Sequence, residues 1–81
     1  MQVAVDISLY PLDEDFIPPI KDVIERLKSH EGIEIETNRM STQVRGDFAA
    51  VMPILSAEIC TTFENIPHAV FTIKIINNPV N

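Results

Sequence analysis

The sequence predicts an α+β sandwich, a four-stranded antiparallel sheet with two helices on one of its faces. Three observations lead there. Residues 2–10 alternate with period two, as a half-buried strand does. Residues 16–27 and 48–63 carry apolar side chains at helical spacing. Three further short strand patterns fall between and after them, so the order is β-α-β-β-α-β over one continuous unit, residues 1–81.

In the first strand Val3, Val5, Ile7 and Leu9 form one side, and Gln2, Ala4, Asp6, Ser8 and Tyr10 the other. The first helix places Phe16, Ile17, Ile20, Val23, Ile24 and Leu27 on its apolar stripe. Asp13 or Asp15 is expected to cap it, and Pro18 and Pro19 suit a first turn whose amides lack intrahelical partners. It ends near His30, with Gly32 supplying a left-handed turn. The second strand spans residues 33–38 with Ile33 and Ile35 inward, and "TNR" turns the chain into a third strand, residues 40–45. There Met40, Thr42 and Val44 share the helix side. Gly46-Asp47 stops this strand and caps the second helix, whose expected stripe is Phe48, Met52, Leu55, Ile59 and Phe63, with a kink at Pro53. The last strand covers residues 68–76. Right-handed crossovers on either side of one hairpin make this a ferredoxin-like βαββαβ sandwich with strands 1 and 3 in the centre.

Composition narrows the function. The net charge of −6, with six scattered basic residues, argues against nucleic acid, which demands clustered Lys and Arg. No apolar run is long enough to span a membrane, and the start "MQVAVDISLY" lacks a signal-peptide pattern, so a cytoplasmic protein is expected. The single Cys60 falls in a helical apolar pattern and reads as a buried, inert thiol. His30 at a helix C-terminus reads as structural, and His68 as a residue near Tyr10. No nucleophile–base constellation, phosphate-cradling glycine loop or metal-ligand cluster is present, so the expectation is a protein that is not an enzyme and holds no metal or cofactor.

Function then falls to the sheet face without helices. It gathers Asp6, Ser8 and Tyr10 from strand 1, Ser41, Gln43 and Arg45 from strand 3, and Val70, Thr72 and Lys74 from strand 4. Such a face is polar enough to orient a small ligand. A solvated antiparallel sheet carries polar residues in any case, and Asp6 with Arg45 reads equally as a cross-strand pair. Val70 and Ile76 on the same side hint at cover by a second subunit.

The stretches "SLYPL" (8–12), "DFIPPI" (15–20) and "STQVRGD" (41–47) together resemble the YkoF-like thiamine/hydroxymethylpyrimidine-binding family. In that family a Ser-Leu-Tyr-Pro strand end, an Asp-Phe helix start and a Ser-Thr-x-x-Arg-Gly strand recur in this order. The resemblance spans nearly the whole chain. It implies a non-catalytic domain binding thiamine or its hydroxymethylpyrimidine moiety in salvage or transport, assembled as a homo-dimer or homo-tetramer through the sheets. It implicates Ser8, Tyr10, Ser41 and Thr42 in the ligand site; face geometry adds Asp6, Gln43, Arg45 and Thr72. Hydroxyl, amide and carboxylate groups suit an aminopyrimidine, and a Tyr suits its flat ring. The alternative is an ACT-like regulatory or oligomerisation module that binds an amino acid or only protein partners.

Overall fold

The computed structural model describes residues 1–12, 17–77 and 79. Its elements are β1 (Gln2–Pro11), α1 (Ile17–Lys28), β2 (Glu34–Thr37), β3 (Thr42–Asp47), α2 (Phe48–Asn65) and β4 (Ala69–Asn77). The sheet order is β2-β3-β1-β4, every neighbour antiparallel, with both helices on one side. The alternation in β1 does what its period predicts: Val3, Val5, Ile7 and Leu9 are all buried beneath the helices. Val44 on β3, Val23 and Leu27 on α1, and Val51 and Leu55 on α2 complete that core. Gly32 takes up a φ of 83°, the left-handed turn expected after α1. The proposed caps Asp13 and Asp15, and Phe16, lie outside the described residues.

Two local expectations change. The strand β3 begins at Thr42, and Met40, expected on its inner side, is 86% exposed in the preceding turn. The helix α2 runs on through Pro53; of its expected stripe Leu55 is buried and Met52 and Ile59 pack against the core, but Phe48 and Phe63 are about half exposed and Val51 and Thr62 are buried instead. The cause is that α2 is apolar around most of its circumference, so spacing alone leaves its rotation open. Packing decides it. A Cβ at Gly46 would stand 3.1 Å from the Val51 Cγ2 methyl and 3.4 Å from that of Ile33. A glycine lets α2 approach β3 this closely without displacing Val51, and the approach favours the Val51 side of the helix.

Asp47 caps α2 as expected. Its Oδ2 accepts from the Ala49 amide at 3.2 Å, and its Oδ1 pairs with the Met1 ammonium at 3.0 Å. That ammonium and the Ala49 amide hold the Asp47 carboxyl below its ordinary value.

Candidate functional site

The end of the sheet carrying the C-terminus of β1 is built by a short polar turn. Asn38 folds it locally: its Oδ1 accepts from the amides of Met40 at 2.8 Å and Ser41 at 3.1 Å. Its own amide donates to the Ser41 carbonyl at 3.1 Å. Asparagine is suited to such a turn because its side chain stands in for a backbone acceptor. Between this turn, the end of β1 and the inner flank of α1 lies a cavity of about 500 Å³. Ile7 and Leu9 from β1 and Ile20, Val23, Ile24 and Leu27 from α1 line it, with Phe71 from β4. Size and apolar walls match a small-molecule pocket.

Polar groups converge at one end. The Thr37 and Thr42 hydroxyls face each other across β2 and β3 at 3.1 Å, and Thr42 is buried. Each hydroxyl has donor and acceptor capacity beyond that one bond, so the pair offers a ligand both. Arg39 and Ser41 stand beside them on the lining.

The eight anticipated residues divide cleanly. Ser8, Tyr10, Ser41 and Thr42 all border this cavity. Alternation nonetheless sets Ser8 and Tyr10 in register with Thr72 and Val70 on the open face, so these two frame the cavity from the strand that separates it from that face. Asp6, Gln43, Arg45 and Thr72 do not border it. They lie on the open face, where Asp6 stands opposite Gln43 on one side and Lys74 on the other. Arg45 faces Ala4 and Glu34, which removes the expected Asp6–Arg45 pair. The register is offset because Ile7 pairs with Thr42, at the true start of β3. Asp6 Oδ1 is buried without a hydrogen-bond partner. The Gln43 amide donates to Ser41 Oγ at 3.3 Å, linking the open face to the cavity rim.

Missing from the sequence-based set are Thr37, Asn38 and Arg39, with Ile20 and Ile24 of α1. The "TNR" turn was visible as a turn, and its position at the Tyr10 end of the sheet was the available signal. The helix residues carried no such signal, because cavity walls and core share one apolar pattern.

The opposite flank of α1 is closed by charge. The Arg26 guanidinium reaches Glu58 Oε1 at 2.7 Å and Thr62 Oγ1 at 2.6 Å on α2, and pairs with Asp22 one turn back on α1. His30 Nε2 meets Glu58 Oε2 at 2.7 Å, so the residue read as structural is part of this clamp. Burial opposes ionisation of Glu58, but hydrogen bonds from His30 and Arg26 and their charge outweigh it and hold its carboxyl below the ordinary value. Cys60, expected to be buried, is exposed; its thiol donates to Glu64 Oε1 at 3.3 Å, which raises its pKa and disfavours the reactive thiolate. His68 is exposed, does not border the cavity, and accepts the Leu12 amide on its carbonyl at 3.1 Å. Among the described residues no helix is long and apolar enough to cross a membrane, and no cluster of metal-ligating side chains occurs.

Solved structures share the fold. A Streptococcus pneumoniae protein superposes with a TM-score of 0.90 at 21% identity, covering 99% of this chain and 90% of that one. A proposed thiamine biosynthesis/salvage protein from Thermotoga maritima gives 0.86 at 24% identity over 96% and 85%. A Methanocaldococcus jannascii protein of unassigned function gives 0.82 at 23% identity over 99% and 84%. No curated protein matches. The model of the YKOF-related family, however, matches residues 2–81, nearly the whole of the sequence. The chain belongs to the YKOF-related family.

Proposed function

We propose that this protein binds thiamine or its hydroxymethylpyrimidine moiety without transforming it, serving thiamine salvage or transport in the cytoplasm. One observation carries the reading: Ser8, Tyr10, Ser41 and Thr42, drawn from two distant motifs, border the same 500 Å³ cavity. Its apolar walls suit the faces of a flat heteroaromatic ring, and the Thr37–Thr42 hydroxyl pair suits the donors and acceptors on that ring's edge. Family membership and the thiamine-related neighbour point the same way. Titration calorimetry with thiamine, hydroxymethylpyrimidine and an unrelated pyrimidine tests it. Saturable heat with one of the first two, and none with the third, is expected; silence from both at sub-millimolar concentration would end this reading.

A second reading, an ACT-like regulatory or oligomerisation module, draws on the exposed apolar residues of β4. It requires a thermal shift with an amino acid and none with thiamine. In either reading the chain works as a homo-oligomer joined through its sheet.

A further inference from the structure

The hydrogen bonds at the cavity mouth leave it rich in donors. Asn38 Oδ1 is spent on the amides of Met40 and Ser41, so the group this side chain still offers is its NH2. Ser41 Oγ accepts from the Gln43 amide, which leaves its own proton for a ligand. Arg39 follows Asn38 in the turn and is exposed, with no ion pair to any described residue. It is the one charged side chain among the described residues that line the cavity. In a chain of net charge −6, this mouth is marked by a cation. A solvated arginine on a turn needs no ligand. A guanidinium beside two further donors, on an apolar cavity with no acid among its described lining, suits an acceptor that carries negative charge.

Resting on the pyrimidine-site reading above, we infer that the cavity selects the phosphomonoester of the hydroxymethylpyrimidine over the free alcohol, with Arg39 paired to the phosphate at the mouth. The charges of the candidate ligands decide between them. Free hydroxymethylpyrimidine carries no anion and leaves the guanidinium without a partner. Thiamine carries a thiazolium cation, which Arg39 repels. The phosphomonoester adds about −1.5 to −2 charges at pH 7 and three acceptor oxygens. Arginine meets phosphate through two parallel N–H···O bonds, a match of shape as well as charge. Depth agrees with charge. The flat ring lies against Ile7, Leu9, Ile20 and Ile24, a wall on which a dianion would lose its hydration without repayment. Arg39 is exposed, so a phosphate beside it keeps part of its water while the ring is covered. A ligand with one apolar flat end and one anionic end thus matches both parts of the lining.

Titration calorimetry at about 0.05 M salt compares hydroxymethylpyrimidine with its phosphate on the unaltered chain, Arg39→Gln and Arg39→Lys, with circular dichroism to confirm folding. The phosphate should bind roughly 10-fold tighter than the free alcohol, as hydrogen bonds to a charged group allow. Raising the salt to about 0.5 M should shrink that ratio, because an exposed pair is screened. Arg39→Gln should bring the ratio to within about twofold of unity, and Arg39→Lys should keep part of it. A purely structural role for Arg39 would weaken both ligands together and leave the ratio intact. Inorganic phosphate at equal concentration should not displace the ester, since it reaches none of the apolar wall. Equal affinity for alcohol and ester, or a ratio that survives Arg39→Gln, would overturn the inference and leave the pyrimidine reading standing. Displacement by equimolar phosphate would overturn it too, by showing a bare anion site. Silence from both pyrimidines would end the pyrimidine reading and this inference with it.

Discussion

The two flanks of α1 are opposites. The flank facing α2 is saturated: Arg26, Asp22, His30, Glu58 and Thr62 satisfy one another in a closed polar clamp. The other flank hangs apolar side chains over a cavity of about 500 Å³. An open hollow of that size lined by aliphatic groups favours collapse, because its walls keep apolar surface in water. The helix stays off the sheet at this end while it is held from the other side. Directional bonds to α2 thus do for the cavity what packing cannot, and the binding proposed for one flank rests on electrostatics on the other.

The largest test of that contrast breaks the clamp. Glu58→Ala leaves the half-buried Arg26 without its main partner and should cost about 2–4 kcal/mol in urea unfolding; Glu58→Gln, which keeps an acceptor, should cost less. If Glu58→Ala is neutral, the clamp does not hold α1. Filling the hollow flank comes next. Ile24→Phe should cut affinity for thiamine or hydroxymethylpyrimidine by roughly 10-fold or more in calorimetry, worth about 1.4 kcal/mol. Its thermal midpoint should hold steady or rise, and unchanged affinity would place the ligand elsewhere. A smaller effect is expected for Thr42→Val, which removes one hydroxyl of the pair at nearly constant volume. Binding should weaken by roughly 2–10-fold.

The smallest effect sharpens the clamp through pH. The Glu58 carboxyl is held below its ordinary value of 4.5, so the folded state binds its proton less readily than the unfolded chain. The stability it contributes is full above that value and lost as pH falls through the lower folded value. Thermal midpoints should therefore drop on acidification below about pH 4.5, and more shallowly in Glu58→Gln. Equal slopes would separate Glu58 from the acid response.

Sequence made the strand order, the buried side of β1, the Gly32 turn and the Asp47 cap legible, because each rests on short-range chemistry. Period two in β1 has one solution once a face must be buried. The rotation of α2 was legible only in part: Met52, Leu55 and Ile59 face the core as their spacing predicts, whereas Phe48 and Phe63 give way to Val51, which packs against Gly46. Half of the proposed site was legible through motifs: Ser8, Tyr10, Ser41 and Thr42 meet around one cavity. The face-derived Asp6, Gln43, Arg45 and Thr72 were placed on the correct side of the sheet, and the cavity opens on the other. A hollow between layers has no signature in a linear pattern, because its walls are written in the same residues as a filled core.

The contact at Gly46 gives positions 46 and 51 a joint allowance of volume. An alanine at 46 would push the Val51 methyl back by a few tenths of an ångström unless residue 51 shrinks in step. Val51 and Glu58 ride the same rigid rod, two turns apart, so a push at one end is delivered at the other. A glycine with no polar side chain and no place in the cavity thereby acts as the fulcrum on which the aim of Glu58 toward Arg26 is balanced.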